Sequence, residues 1–207
     1  MSSKKAVSIQ SISRAGEGVA LHTTYVSVGG LQGANVSIDL TRAPVPERRY
    51  TADVATLLCS DSLVRMIFGQ TKVDRKELRS IVDIHMSRRA VVQLLDSINA
   101  TGDTLKNLQA SLNFPTANLI DIADEPSQTV GLSASVVAAA YANEEACLDF
   151  YHVSSFVMAH LQRNTGANVV AEPVVRVILP TPLLIAIVER MKDIKATMPN
   201  ETQRGGI

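Results

Sequence analysis

Polar and apolar positions alternate along residues 63–68: Val64, Met66 and Phe68 fall on one face, Leu63, Arg65 and Ile67 on the other. Residues 81–86 alternate in the same way, with Val82, Ile84 and Met86 on one face and Ile81, Asp83 and His85 on the other. After Ser87 the period lengthens. Val91, Leu94, Leu95 and Ile98 stand at i, i+3, i+4 and i+7, a single helical stripe. Ser87 is placed to cap that helix with its hydroxyl. The pattern therefore predicts strand, strand, helix.

Shifted by 93 residues, the pattern recurs. Val175, Val177 and Leu179 repeat the Val82 face, and Leu184, Ile187, Val188 and Met191 repeat the helical stripe. Thr181 followed by Pro182 starts the second helix, with proline at its first helical position. The same shift sets Val64, Met66 and Phe68 against Val157, Ala159 and Leu161, and Ala55 and Leu57 against Leu148 and Phe150. Polar loops of equal length, 69–77 and 162–170, follow the middle strands. Only Ser62/Ser155, Val64/Val157 and Val82/Val175 are identical over residues 54–98, so the repeat rests on ordered faces and a single ungapped register. The expected fold is α+β: two similar antiparallel β-sheet-plus-helix units forming an internal pseudo-dimer.

The rest of the chain is arranged around these units. Residues 1–112 form the first unit, with N-terminal strands at 19–28 and 35–40 and a proline-bearing connector at 42–49. Leu105, Leu108 and Leu112 stand at helical spacing and extend its helix past Gly102. Residues 113–131, with Pro115 and Pro126, are the linker. Residues 132–196 form the second unit, with 132–140 as its first strand, and 197–207 read as a disordered tail.

The strand ending in Phe68-Gly69 and the later strand running through Met86-Ser87 into an amphipathic helix resemble a small bacterial family of unknown function. Its members carry strand–FG–loop–strand–MSP–helix. The order also resembles the SecB-type export chaperone fold. The likeness is best over 50–100 and weaker over 141–195, where Leu161-Gln162 replaces Phe-Gly and Leu179-Pro180 replaces Met-Ser. The resemblance implies sheets backed by helices, subunits that associate through both, and a hydrophobic groove for unfolded polypeptide. Fold alone does not give function.

Composition narrows the function classes. The 207 residues carry 20 basic and 20 acidic side chains, and the zero net charge argues against a nucleic-acid partner. The halves differ: residues 1–100 hold 13 basic and 9 acidic groups, residues 101–207 hold 7 and 11. Such an asymmetry can steer self-association. Aromatics are only 4% with no Trp, which leaves an aliphatic core and no stacking platform for single strands. No apolar run approaches the roughly 18 residues of a membrane helix, and no signal-peptide core is apparent. Cys59 and Cys147 are too few for a disulfide framework and read as buried free thiols. A cytoplasmic protein is expected.

No motif names a reaction. Gly29-Gly30-Leu31-Gln32-Gly33 precedes an alternating stretch, not a helix whose amides could hold phosphate, and reads as a hairpin turn. Cys147, His152 and His160 lack the close spacing of metal ligands. Gly131-Leu132-Ser133-Ala134-Ser135 lacks the final glycine of a nucleophile elbow. Glu144-Glu145 and Asp124-Glu125 read as solvated charge. No catalytic, metal or cofactor residue is therefore assigned.

The positive signal lies on the strand faces turned from the helices. A solvated sheet face should be mostly polar. Here the expected outward face, with Val54, Leu58, Arg65, Ile67, Ile81 and His85 in the first unit and Tyr151, Met158, Val174 and Ile178 in the second, is half apolar overall. Its candidate contact residues are Leu58, Ile67, Ile81, His85, Tyr151, Met158, Val174 and Ile178. Such a face needs a cover. A non-enzymatic protein-binding module follows, either a SecB-like chaperone or adaptor, or an assembly scaffold with these faces buried between subunits. An enzyme with an unrecognised site is the remaining reading.

Overall fold

The computed structural model describes residues 11–13, 20–22, 43–61, 63–71, 78–100, 107, 110, 129–142, 144–154 and 171–197. Ten strands and two helices run in the order β1 (Ser11–Ser13), β2 (Ala20–His22), β3 (Arg49–Thr51), β4 (Val54–Cys59), β5 (Leu63–Thr71), β6 (Leu78–Ser87), α1 (Arg88–Ala100), β7 (Val130–Ala134), β8 (Val136–Tyr141), β9 (Glu145–His152), β10 (Glu172–Pro180) and α2 (Thr181–Ala196). They form a four-stranded sheet, β4-β5-β6-β7, and a six-stranded sheet, β1-β2-β8-β9-β10-β3. Among the described residues these elements make an α+β arrangement of two sheets and two helices.

The sheets are mixed, which corrects the antiparallel expectation. β7 runs parallel to β6, and β3 runs parallel to β10. Each of these strands comes from the chain segment that next enters the opposite sheet. β3 leads within two residues into β4, and β7 leads through Ser135 into β8. Residues 132–140, expected as one strand, are thus divided between two sheets. Ala52 N–H donates to Ile178 O (2.8 Å) at one crossing, and Ser135 N–H donates to Tyr151 O (2.9 Å) at the other.

The strand registers correct the single 93-residue shift. Ala55 pairs with Phe68 and Leu57 with Met66, as Val137 pairs with Phe150 and Ala139 with Leu148, each 82 residues further on. Only β6–α1 and β10–α2 keep the shift of 93, with Val82 opposite Phe68 and Val175 opposite Phe150. The segment between the two shifts is longer in the second half. Val157, Met158, Ala159, His160 and Leu161, once aligned with β5, lie outside the described residues, as do residues 23–42, Leu105, Leu108, Leu112, the linker through 128 and the tail from 198.

Both sheets also carry an irregularity at one matched place. Phe68 pairs with Val82 but Gly69 with Ser80, leaving Ile81 as an extra residue. Phe150 pairs with Val175 but Tyr151 with Pro173, leaving Val174 as an extra residue. A bulge of this kind bends the strand and re-aims a side chain. Gly69 is required at the first: a Cβ there would lie 2.7 Å from Arg79 O and 3.1 Å from Val54 Cγ2.

Side-chain alternation explains the core. Val64, Met66, Phe68, Val82, Ile84 and Met86 turn inward, as do Leu148, Phe150, Val175, Val177 and Leu179, all fully buried in one cluster. Each such large side chain contributes about 1.5–3 kcal/mol relative to exposure. Phe68 and Phe150 meet edge to face, centroids 6.1 Å apart at 64°. α1 packs its Val91–Ile98 stripe against β6, β5 and β8, while α2 packs against β10, β9 and β4, and the helices touch each other. Each helix therefore ties its own sheet to the other one. Lys195 and Asp96 bridge the helices at 2.5 Å.

The helix starts differ from each other. Ser87 Oγ accepts from Ala90 N–H at 3.2 Å, the expected cap. For α2 the cap position is Pro180, without a side-chain bond. Thr181 instead donates its hydroxyl to Ala142 O at 3.0 Å, fastening the helix to the β8–β9 turn.

Candidate protein-contact face

Away from the helices, each sheet centres on an arginine–aspartate pair. In the six-stranded sheet Asp149 and Arg176 are direct cross-strand partners. Nε and Nη2 of Arg176 each donate to one carboxylate oxygen, both at 2.6 Å. This fork geometry is a strong, charge-assisted arrangement. That bond holds the Arg176 guanidinium above its ordinary range, although burial opposes it. Burial, then the Asp149 charge, pushes the Tyr151 phenol up to about 12 and raises the Cys147 thiol. Raised in this way, the Cys147 thiol carries less thiolate at neutral pH than a free cysteine does.

In the four-stranded sheet the pair is diagonal. Arg65 donates from Nε (3.2 Å) and Nη2 (2.6 Å) to the same Oδ2 of Asp83, and His85 Nε2 lies 3.1 Å from it. Asp83 Oδ1 is buried and has no hydrogen-bond partner among the described residues. In this sheet β5 contributes the arginine and β6 the aspartate; in the other sheet β9 contributes the aspartate and β10 the arginine. In both sheets the central charge is neutralised in place.

Around these pairs the expected contact residues separate. Ile67 and Tyr151 were expected on an open face, but they are only 1% and 3% exposed. Each stands on a central strand of its sheet, Ile67 on β5 and Tyr151 on β9. Ile81, His85, Val174 and Ile178 are half-buried and Leu58 is 39% exposed. Met158 lies outside the described residues. Ile81 and Val174 are the two bulge residues, a signal that strict alternation could not give. Leu63, 44% exposed on the same face as Leu58, went unassigned although its alternation placed it there.

The remaining chemical candidates stay apart. Cys59 and Cys147 are free, but Cys59 is exposed, contrary to the expectation of a buried thiol. Cys59 Sγ accepts from Arg88 Nη2 at 3.1 Å. His152 turns inward and its buried Nδ1 has no partner among the described residues. Ser133 and Ser135 stand on or beside a strand edge, and Glu144 and Glu145 are exposed. Among the described residues no group of three His, Cys, Asp or Glu side chains could hold a metal ion, and no helix is long and apolar enough to cross a membrane. Comparison with known protein families, curated proteins and solved structures finds no match.

Proposed function

We propose that this chain is a non-enzymatic, cytoplasmic protein-binding module of SecB-like type, whose outward sheet faces take polypeptide. The observation that carries this reading is the composition of those faces. Their charges are spent on one another, Arg65 with Asp83 and Arg176 with Asp149. The accessible residues around them include the aliphatic Leu58, Leu63, Ile81, Val174 and Ile178, beside His85, Arg49 and Thr51. A face of that kind favours apolar contact over recognition of a charged small molecule.

The module is a fused pair of equivalent β-β-β-β-α units that have exchanged their first strands. The matched registers, the matched bulges and the reciprocal parallel strands support this equivalence. The exchange joins the two units through one core, so the outer faces are held on a rigid frame.

Suppression of the aggregation of an unfolded client by the purified protein tests the reading. The protein is expected to suppress aggregation, and Ile81→Asp with Ile178→Asp to abolish suppression while circular dichroism stays unchanged. An inactive wild-type protein that also fails to bind a hydrophobic dye overturns the reading.

A further inference from the structure

We infer that β4 is an association edge, and that a second copy of this chain pairs its own β4 with it, antiparallel, with Leu58 opposite Leu58 of the other copy. The inference concerns the sheet edge; it shares Leu58 and Leu63 with the polypeptide-binding face proposed above and leaves Ile81, Val174 and Ile178 of that face outside the pairing.

The main-chain groups decide which residues the edge offers. Ser60 N–H donates to Leu63 O at 2.9 Å, closing the β4–β5 hairpin. Main-chain groups alternate sides along a strand. Leu57 and Cys59 therefore present N–H and C=O away from β5, and among the described residues no strand pairs with them. The other sheet contains the same geometry with the edge filled. Ala142 N–H donates to Glu145 O at 2.9 Å, so Ala139 and Tyr141 point away from β9. There β2 runs antiparallel, His22 beside Ala139 and Ala20 beside Tyr141. Leu57, Leu58 and Cys59 hold the positions of Ala139, Ala140 and Tyr141.

Exposure follows the same division. Val54, Ala55, Thr56 and Leu57 are buried, whereas Leu58 and Cys59 are open. Ala139 and Tyr141, their strand covered by β2, are buried. The bare residues of β4, Leu58 and Cys59, thus match two of the three that β2 covers in the other sheet.

The sequence of β4 favours a second copy over a charged partner. Edge strands are ordinarily guarded by charge, proline or shortness. β3 has three residues, with Arg48 and Arg49 at its start and Pro46 just upstream; β7 carries Gly131. Val54-Ala55-Thr56-Leu57-Leu58-Cys59 has no charge, proline or glycine. Such a strand is complementary to itself. Centred on Leu58, a two-fold pairing sets Leu57 against Cys59 of the other copy as hydrogen-bonded pairs. It brings the two Leu58 side chains together as a close pair, with each Leu63 diagonal to its own Leu58.

Sedimentation equilibrium and cysteine cross-linking of the full chain test this. The wild type is expected to be a dimer, and Leu58→Lys to weaken dimerisation at least ~10-fold by placing like charges opposite one another. In a Cys59→Ser background, Leu58→Cys is expected to form an intermolecular disulfide on mild oxidation, since close antiparallel pairs lie about 4.5 Å apart at Cα, within disulfide reach. A wild type that stays monomeric at all concentrations overturns the inference, as does a monomer that takes up an extended peptide along β4. A dimer that survives Leu58→Lys and yields no Leu58→Cys disulfide also overturns it. Circular dichroism of each variant separates lost association from lost folding.

Discussion

The four-stranded and six-stranded sheets solve the same packing problem with different residues at matched places. Both set a phenylalanine at the centre, Phe68 and Phe150, and both bulge immediately beside it. Next to Phe68 stands Gly69, pressed by Arg79 O; next to Phe150 stands Tyr151, a large buried ring. Both outer faces hold one arginine–aspartate pair, but one shares a single oxygen and the other uses two. The lesson is that inward positions are alike in kind because they share one core, while matched outward positions differ in size and in how their charges are held.

The central ring contact gives the largest expected effect. Phe68→Ala and Phe150→Ala are each expected to cost about 3–5 kcal/mol in chemical denaturation, the range for deleting a buried aromatic. Because the rings touch, the double variant should cost measurably less than the sum. Strict additivity would show that the two sheets are energetically separate. Next is Gly69→Ala, expected to cost about 1–3 kcal/mol, because the new methyl meets main-chain carbonyl rather than a yielding side chain. Tyr151 at the matched position shows that the other sheet has room for a side chain there. A neutral Gly69→Ala would remove that distinction.

These central features were also the most legible in the sequence. Inward faces follow from strict alternation, so Val82, Ile84, Met86, Val175, Val177 and Leu179 could be read directly, and so could both helical stripes. Two things could not be read. A bulge inserts one residue without any composition signal, and the change from 82 to 93 comes from the longer connection between β9 and β10, which ungapped alternation passes over. The pairing of β3 with β10 is non-local: Arg49-Tyr50-Thr51 has no local mark of its partner. The outward set was half legible for the same reason. Alternation says which way Ile67 and Tyr151 point, but not that they are buried there.

The two arginine–aspartate pairs sharpen the comparison at an intermediate scale. Asp149→Asn removes a carboxylate whose two oxygens are both used, and leaves Arg176 half-buried without its counter-charge. A cost of about 1–3 kcal/mol is expected, the range for leaving a buried polar group unsatisfied. Asp83→Asn should cost less. One oxygen of Asp83 already has no hydrogen-bond partner among the described residues, and its buried charge is itself a burden that the amide relieves. Denaturation midpoints that rank the two in the opposite order would show that His85 and Arg65 hold Asp83 more tightly than their shared oxygen suggests.

The smallest effect separates the sheets by pH. In the six-stranded sheet burial raises the Cys147 thiol above its usual 9.0, and the Tyr151 phenol from 10.0 to about 12. In the unfolded chain both groups lose their protons first, while the folded protein still holds them. The unfolded state then binds fewer protons, so stability falls as pH rises. The contribution of Tyr151 is complete below pH 10.0, declines as pH rises through the window up to about 12, and is gone above it. Cys147 adds its own decline starting near 9.0. Tyr151→Phe should therefore flatten the alkaline side of the stability profile, leaving the neutral region nearly unchanged. Urea unfolding of the wild type and Tyr151→Phe across that range measures it. Parallel alkaline slopes in the two proteins would mean that the phenol is as free to ionise in the folded sheet as in the unfolded chain, and that the surroundings of Tyr151 do not set the two sheets apart.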